Sequence, residues 1–306
     1  MRLFRSSESD APARVGVVGD VHACDERLSL LLDHLRTRER VDAIWCVGDI
    51  VNGPGDPDRC AALLAAAGAV TVRGNHDRWL VEGVSVIPDA HRREELTAET
   101  NAFLDSLPPS ADLELAGGVR ALLCHGLGDN DMNNLTADDY GYALEANDEL
   151  QALLRRGPLL VVKGHRHRAA IWRVGDLTLV DAGTLLSPEA TCAVVIDTSA
   201  RTITPLRVSE AGVVAGPAQE FSAGLGPWYG GGVTDADAER RRLVRRNAIP
   251  GHWMDVKAWI TAGGLGEEQA ICECGWKGPV RAEHEAGMTD AEEHLLPLMP
   301  DSAVRP

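Results

Sequence analysis

The tetrapeptide Gly74-Asn75-His76-Asp77 is the stretch around which this chain is organised. An asparagine offers a hard metal ion a neutral carbonyl oxygen, and the next residue lies within reach of whatever that ion holds. Taken alone, the tetrapeptide is equally well explained by a Gly-Asn turn. Four similar polar motifs accompany it, each directly after an apolar run: Gly19-Asp20-Val21-His22, Gly48-Asp49, His125-Gly126 and Gly164-His165-Arg166-His167. With the tetrapeptide, they hold five of the ten histidines.

The apolar runs before these motifs predict buried β-strands. They cover residues 14–18, 43–47, 69–72, 119–124 and 159–163. Helices are predicted between them, from Asp25, from Asp56-Pro57 through Ala67, over 93–106 and over 136–155. Because open α/β sheets carry their ligand sites at the carboxyl edge of the strands, the polar motifs are expected to meet at one edge.

Four further strand-like runs follow, at 169–174, 177–182, 191–197 and 202–208. The Gly175-Asp176 pair predicts a hairpin, so the second sheet is expected to be at least partly antiparallel. The predicted fold is α/β, a two-sheet β-sandwich flanked by helices.

The domain organisation is read from shifts in composition. Residues 1–13 form a loose leader and residues 14–208 the domain itself. Residues 209–232, rich in Gly, Ala and Pro, read as a linker, and residues 233–306 as a small C-terminal appendage.

Composition narrows the range of partners. The 306 residues carry a formal charge of −16, which disfavours a nucleic-acid partner, because binding to nucleic acids depends on basic side chains that neutralise phosphates. No run of 18 apolar residues could span a membrane, and the first thirteen residues lack the apolar core of a signal peptide. A cytoplasmic protein is expected, with buried free thiols at five of its cysteines: Cys24, Cys46, Cys60, Cys124 and Cys192.

The ordered motifs D-x-H, GD, GNHD, H and GHxH resemble the calcineurin-like metallophosphoesterases across residues 15–187. The resemblance implies two divalent metal ions. It assigns Asp20, His22 and His167 to the first ion, Asn75, His125 and His165 to the second, and Asp49 to a bridge between them. It also implies that His76 is the general acid and that Asp77 orients it.

The residue types suit phosphate ester hydrolysis independently of that resemblance. The reaction needs an activated water, neutralised phosphoryl oxygens and a proton for the leaving group, and two divalent ions about 3.5–4 Å apart supply the first two needs. Mixed carboxylate, imidazole and amide donors favour Mn²⁺, while Fe, Zn and Ni also remain open.

Two departures from the family pattern concern neighbouring positions and remove no ligand. Arg166 stands where the family often has Thr, and Asp181-Ala182-Gly183-Thr184 stands where an N-P-G-S stretch is common. Arg166 and Arg78 are candidate contacts for a substrate phosphate, with a solvated arginine as the alternative for each.

The C-terminal region holds four zinc-type ligands, Cys272, Cys274, His284 and His294. Thiolates and imidazoles suit a tetrahedral structural zinc, although the C-x-C and H-x₉-H spacings are irregular. An ordinary small helical appendage is the alternative.

The predicted function is metal-dependent hydrolysis of a small phosphate ester, either a diester or a monoester. A protein phosphatase and a nuclease are alternatives with the same fold, and the charge disfavours the nuclease. A non-catalytic metal-binding scaffold is a third alternative, disfavoured because His76 accompanies the full ligand set. The natural substrate and the oligomeric state are left open.

Overall fold

The computed structural model describes residues 11–221, apart from 85–86, 89, 138, 140–141, 158, 188–189 and 210–211, and the backbone of 254–261, 264–272 and 277–281. The helices in these residues are α1 (Asp25–Thr37), α2 (Pro57–Ala67), α3 (Asn75–Glu82), α4 (Ala98–Ser106), α5 (Tyr142–Glu145) and α6 (Asp148–Leu154). The strands up to residue 181 are β1 (Arg14–Val18), β2 (Ala43–Cys46), β3 (Val70–Thr71), β4 (Ser110–Leu115), β5 (Val119–Cys124), β6 (Leu159–Lys163), β7 (Ala170–Val174) and β8 (Leu177–Asp181). The later strands are β9 (Ala193–Asp197), β10 (Thr202–Ser209), β11 (Gly212–Ala215), β12 (Gln219–Glu220), β13 (Met254–Thr261), β14 (Gly264–Cys272) and β15 (Lys277–Arg281).

The first sheet has the strand order β11-β10-β9-β1-β2-β3, and β12 pairs with β10. Strands β1, β2 and β3 are parallel, whereas β9 runs antiparallel to β1. Side chains alternate across β1, as the period of a strand requires. Val15 and Val17 face the second sheet, while a Cβ at Gly16 would collide with Leu35 of α1, so glycine lets this helix lie close against the sheet.

The second sheet has the order β4-β5-β6-β8-β7. Strands β5, β6 and β8 are parallel, and β7 pairs antiparallel with β8. The turn between β7 and β8 contains Gly175 with a φ of 55°, a conformation that glycine adopts without steric cost. The predicted α/β fold with two sheets and a hairpin at this turn is confirmed.

Two apolar cores hold these layers together. One lies between the two sheets. It includes Trp45 and Val47 from the side of the first sheet, and Leu123 and Val162 from the second. The other lies between the first sheet and the helices, where α1, α2 and α4 contribute their buried leucines: Leu28, Leu31, Leu32, Leu35, Leu64 and Leu104. Each such side chain contributes about 1.5–3 kcal/mol through burial.

Two predicted helices are interrupted in the structure. The segment 93–106 begins with a 3₁₀ turn, Arg93–Glu95, and α4 starts only after Thr97, whose side chain accepts a hydrogen bond from the Thr100 N–H at 3.3 Å. The segment 136–155 contains α5 and α6 as separate helices. Asn147 starts α6 by accepting the Leu150 N–H at 3.0 Å. Side-chain capping favours a new helix start over continuation.

The predicted linker, 209–232, contains two strands in its described part, β11 and β12, and both pair with β10. The later strands β13, β14 and β15 form an antiparallel three-stranded sheet of their own. By its internal contacts, the chain divides into a unit of residues 1–137 and 147–230 and a second unit of residues 138–146 and 231–306.

The five cysteines predicted as buried free thiols are confirmed as free and buried. Among the described helices, none combines the length and the apolar character that crossing a bilayer requires.

Candidate metal centre

The polar motifs meet at the carboxyl ends of the parallel strands in both sheets. Asp20 and His22 follow β1, Asp49 follows β2, and Asn75 opens α3 after β3. His125 follows β5, and His165 and His167 follow β6. Five of these seven side chains are buried, while His165 and His167 are half-buried.

The loops after β1 and β2 are joined by backbone hydrogen bonds. The N–H groups of Val21 and His22 donate to the carbonyl of Asp49 at 3.1 and 2.7 Å, and the Ala23 N–H donates to Ile50 at 2.8 Å. A Cβ at Gly74 would overlap the Asp49 carboxylate, so the start of α3 can approach Asp49 only because residue 74 is glycine. The result is a rigid frame around two buried carboxylates.

Several candidate ligands have left-handed backbone conformations that residues other than glycine rarely adopt. The φ angles are 45° at His22, 51° at Asp49, 73° at His165 and 57° at His167. This conformation costs an L-residue roughly 1–2 kcal/mol. Such strain is concentrated at functional sites, where surrounding contacts maintain it. The paired motifs therefore converge through tight turns after their strands.

A first group of donors contains Asp20, His22, Asp49 and His167, whose ligand atoms all lie within 4.8 Å of one another. The Nε2 atoms of His22 and His167 are 2.9 Å apart. The His167 Nε2 is 3.3 Å from the Asp20 Oδ2. This group is one candidate cation position.

A second group forms around Asn75. Its Oδ1 lies 2.9 Å from the His125 Nε2 and 2.9 Å from the His165 Nδ1. The Asp49 Oδ2 is 3.3 Å from the His125 Nε2 and 3.6 Å from the His22 Nε2. One oxygen of Asp49 thus lies close to ligand atoms of both groups.

The ring orientations of His22 and His125 fit cation binding. Each ring places Nδ1 near a backbone carbonyl oxygen, that of Asn52 at 3.0 Å and that of Val47 at 2.8 Å, so each Nδ1 is the donor. A neutral ring then has its lone pair on Nε2. The Nε2 of His125 faces oxygens of Asn75 and Asp49, which are acceptors as well. Converging lone pairs in a buried site require a cation or a proton between them.

The pKa shifts of the buried groups reflect the same requirement. Burial by itself lowers the pKa of His125, but the carboxylates of Asp49 and Asp20 outweigh this effect and raise the pKa to about 10. Burial opposes ionisation of Asp49, yet the adjacent His125 holds the pKa of this carboxyl well below its usual range. Burial also raises the pKa of Asp20, and the Asp49 charge adds to the rise. The site thus favours a positive charge beside Asp49.

The pKa values of the two half-buried histidines, His165 and His167, shift in the opposite direction from that of His125. Burial, together with the charge of neighbouring histidines, lowers the pKa of both His165 and His167 to about 4. Both rings are therefore neutral at pH 7, and neutral imidazole is the form that ligates metals.

The predicted catalytic pair, His76 and Asp77, makes hydrogen bonds to residues other than each other. Asp77 is fully buried and accepts the N–H groups of Ile50 at 2.8 Å, Val51 at 3.3 Å and Gly74 at 2.9 Å. The sequence predicts that Asp77 orients the His76 ring, but among the described residues the hydrogen bond to the His76 Nδ1 comes from Asn52, at 3.1 Å. The carboxylate of Asp77 instead fastens the loop after β2 to the start of α3.

Asn52 and its partner His91 are residues that the sequence motifs did not single out. No local spacing identifies them, since Asn52 lies 24 residues before His76 and 39 residues before His91. A usable signal would have been Asn52 itself, the first polar residue after Gly48-Asp49.

The two candidate substrate contacts differ in their surroundings. Arg78 donates to Asp131 through Nε at 2.6 Å and an Nη at 3.0 Å, and to Glu82 at 3.0 Å. Its charge is therefore paired with two carboxylates. Arg166 is exposed between His165 and His167.

The zinc ligands predicted in the C-terminal region lie almost entirely outside the described residues. Cys274, His284 and His294 lie outside the described residues, and Cys272 ends β14, of which only the backbone is described.

Comparisons with known proteins show the family of this chain. A family model described as the calcineurin-like phosphoesterase superfamily domain matches residues 14–201. An uncharacterized protein of Methanocaldococcus jannaschii is 29% identical over 102 residues, covering 31% of this chain and 42% of that protein. A symmetrical bis(5'-nucleosyl)-tetraphosphatase of Pseudomonas syringae is 33% identical over 108 residues, covering 35% of each chain. The chain thus spans less than half the length of these two relatives.

Among solved structures, a hypothetical protein of Pyrococcus horikoshii has a similar fold. Its TM-score is 0.53 at 15% sequence identity, and the match covers 64% of this chain and 88% of that one. The matched family region contains every one of the seven candidate ligands together with His76 and Asp77. The chain belongs to the calcineurin-like phosphoesterase superfamily.

Proposed function

We propose that this protein hydrolyses small phosphate esters at a centre of two divalent metal ions. The observation that carries the proposal is the position of the Asp49 Oδ2, which lies 3.3 Å from the His125 Nε2 and 3.6 Å from the His22 Nε2. A carboxylate between two groups of imidazole and oxygen donors suits a bridge between two cations.

The donor sets follow from these groups. Asp20, His22 and His167 would hold one ion, Asn75, His125 and His165 the other, with Asp49 shared. When bound, such a pair of ions supplies an activated water and neutralises the charge of the phosphoryl oxygens. Mn²⁺ is the favoured metal, because it accepts oxygen and imidazole donors together, and Fe, Zn and Ni are alternatives.

Side chains of this protein would protonate the leaving group and contact the phosphate. Hydrolysis joins the water oxygen to phosphorus and breaks the ester P–O bond. The leaving oxygen then needs a proton from the protein. We assign this role, as general acid, to His76, which lies on the first turn of α3 and is half-buried beside His22, with ring centroids 4.9 Å apart. Such a group contributes about 10²–10⁴-fold to the rate. Arg166 is the better candidate for a phosphate contact, since Arg78 is already paired.

The class of substrate is proposed from charge and from the relatives. The formal charge of −16 disfavours long polyanions and leaves small esters compatible. The matched relative of Pseudomonas syringae is named a symmetrical bis(5'-nucleosyl)-tetraphosphatase, which makes a bis(5'-nucleosyl) tetraphosphate a suitable test compound.

The experiment is a hydrolysis assay of the chelated full-length protein before and after Mn²⁺ is restored. Bis-p-nitrophenyl phosphate, p-nitrophenyl phosphate and a bis(5'-nucleosyl) tetraphosphate are compared, and mass spectrometry measures bound metal. We expect turnover that depends on metal and two equivalents bound. The ratio of the first two rates distinguishes diester from monoester preference.

A histidine control completes the design. His76→Ala is expected to retain both metals and lose most turnover. His34→Gln, in the last turn of α1 and paired with Glu39 at 3.2 Å, is expected to keep both the metals and the turnover. Two bound metals without turnover on any of the three esters would favour the non-catalytic scaffold. A protein that binds no metal would contradict the proposal.

A further inference from the structure

Trp79 lies on α3 beside the ring of His76, and the chemistry proposed for the metal centre gives it no role. Residues three positions apart are neighbours on the surface of a helix. The centroids of the Trp79 and His76 rings are 4.9 Å apart, with an angle of 53° between the ring planes. The centroid of the His22 ring is also 4.9 Å from that of His76. His76 thus connects Trp79 to a candidate metal ligand through two ring contacts.

The end of α3 leaves Trp79 half-buried. Gly83 follows the helix with a φ of 69°, and the Val84 N–H donates to the carbonyl of Trp79 at 2.8 Å. At helix ends of this kind, the residue after the glycine commonly contacts the side chain of the residue whose carbonyl it binds. Val84 is itself 47% exposed. This end of α3 therefore presents apolar surface that is covered only in part.

The indole N–H of Trp79 has no hydrogen-bond partner within the described part of the chain. The adjacent Arg78 is held by Asp131, at 2.6 and 3.0 Å, and by Glu82 at 3.0 Å. Tryptophan combines a large apolar face with one polar N–H, which usually finds a partner when it is buried. The N–H of this half-buried ring is therefore available to a ligand.

A phosphate ester bound at the metal centre would place its leaving group next to His76. The proton that His76 gives to the leaving oxygen requires contact between the two, so the rest of the leaving group continues from that oxygen along the His76 ring. The side chains around the candidate cation positions are carboxylates, imidazoles and an amide, which suit the phosphoryl group. Trp79 is an aromatic side chain in contact with His76, and it offers a surface against which an apolar leaving group would lie.

We propose that Trp79 binds the leaving group of the substrate, and that this leaving group carries an aromatic ring, as aryl and nucleoside esters do. The proposal rests on the proposed function, because it takes His76 as the general acid. Aromatic rings pair by offset stacking or edge contacts, with centroids about 4.5–7 Å apart. Stacking of a nucleobase on an aromatic side chain strengthens binding roughly 5- to 150-fold.

The first test measures binding and needs no turnover. Phenylphosphonate and cyclohexylphosphonate have a P–C bond in place of the ester bond and rings of similar size, but only the first ring is aromatic. The full-length protein is labelled with 5-fluorotryptophan and loaded with Zn²⁺, which is diamagnetic, and the ¹⁹F signal of Trp79 is assigned by its loss in Trp79→Leu. We expect phenylphosphonate to shift this signal and, by calorimetry, to bind about 2- to 10-fold more tightly than cyclohexylphosphonate. Trp79→Leu should abolish this preference.

The second test compares turnover of p-nitrophenyl phosphate with that of acetyl phosphate, whose leaving group is small and not aromatic. Each ester is compared with itself in the native protein and the variant, so differences in leaving-group reactivity cancel. Trp79→Leu is expected to lower kcat/KM for p-nitrophenyl phosphate about tenfold, mainly through KM, and to change that for acetyl phosphate little. Trp79→Phe should restore most of the loss. Phe103→Leu, which replaces a partly buried aromatic residue of α4, is the matched control and should leave the ratio of the two esters unchanged.

A third pair of esters distinguishes the two sources of the ring. Adenosine 5'-phosphate and ribose 5-phosphate differ in the presence of the base. If Trp79→Leu lowers kcat/KM only for the adenosine ester of this pair, the ring bound by Trp79 is a nucleobase. If the loss is confined to p-nitrophenyl phosphate, the ring is one attached directly to the leaving oxygen.

Failure of this proposal can be told apart from failure of the proposed function. An unmoved Trp79 signal throughout the phenylphosphonate titration would overturn the aromatic subsite even if the esters are hydrolysed. Equal losses on p-nitrophenyl phosphate and acetyl phosphate in Trp79→Leu would also overturn it, because Trp79 would then only support His76. If no ester is hydrolysed while phenylphosphonate shifts the signal and the preference is lost in Trp79→Leu, the subsite is supported and the proposed function is contradicted.

Discussion

The buried ion pair between Lys163 and Asp181 makes a quantitative prediction about stability. Lys163 ends β6 and Asp181 ends β8, and the two residues are direct partners in the parallel register. The Lys163 Nζ is 2.7 Å from the Asp181 Oδ1 and 5.8 Å from the centre of the Trp172 ring. Lys163 is 0% exposed and Asp181 is 4% exposed, so neither charge has access to bulk water.

Replacing one partner should cost far more than replacing both. Lys163→Met keeps the length of the side chain and leaves the Asp181 carboxylate buried without its cation, which typically costs about 3–5 kcal/mol. In Lys163→Met/Asp181→Leu neither charge remains, and apolar replacement of a buried pair is typically neutral or stabilising. We therefore expect the double variant to recover most of the free energy of unfolding lost in the single one.

Urea unfolding in the presence of a chelator measures these differences without a contribution from bound metal. The midpoint should fall for Lys163→Met with an unchanged slope, and return for the double variant. A loss below about 1 kcal/mol in the single variant would show that water or another group compensates for Lys163. Additive losses in the two single variants and the double would refute the pairing itself.

The pH dependence of the native protein tests the same pair. Burial raises the pKa of Asp181 to about 6, although Lys163 acts to lower it. A folded pKa above the unfolded value of about 3.9 means that the folded state binds the proton more tightly. The resulting stability is complete below about pH 4 and is lost as the pH rises through 6, by roughly 3 kcal/mol. Asp181→Asn should remove this loss from the urea midpoints.

Three further predictions concern the metal centre. Asp49→Asn should lose metal and turnover together, because the one oxygen near both donor groups becomes half of an amide, and metal analysis alongside the hydrolysis assay checks this. Asp77→Ala should lower the free energy of unfolding by about 3 kcal/mol or more, since three buried N–H groups lose their acceptor at about 1–3 kcal/mol each; an unchanged urea midpoint would contradict it. Restoring Mn²⁺ at about 100 times its Kd should stabilise the chelated protein by about 2.7 kcal/mol for each site that it fills, seen as a rise in Tm that a metal-free titration does not give.

The donor residues of the centre could be predicted because each follows a buried strand. The runs before Asp20, Asp49, His125 and His165 are apolar enough to be read as strands, and parallel strands end at a common edge. Strand β4 was missed, although Leu113 and Leu115 alternate with polar residues there. Its partly exposed residues weaken the pattern, because one face of β4 has little contact with the core.

The helix boundaries and the residues around His76 depend on contacts that sequence periodicity does not contain. The interruption before α6 depends on one hydrogen bond from Leu150 to Asn147, which competes with continuation of the preceding helix. The assignment of Asn52 as the partner of His76, in place of Asp77, depends on how three loops fold together. Neighbouring residues in sequence suggested Asp77, but its carboxylate is consumed by backbone donors.

The same geometry links the stability of the domain to occupancy of its centre. Asp20, Asp49 and Asp77 are buried to within 1% of full burial and lie near one another. Burial and the charge of Asp49 raise the pKa of Asp77 to about 7, and they also raise the pKa of Asp20. These two carboxyls therefore bind protons that exposed carboxyls would release. Cations at the centre would replace those protons, and the strained turns at His22, Asp49, His165 and His167 would then be held by ligation. We therefore expect the motif residues to make the fold less stable when they are bare, and the binding of metal to offset that cost.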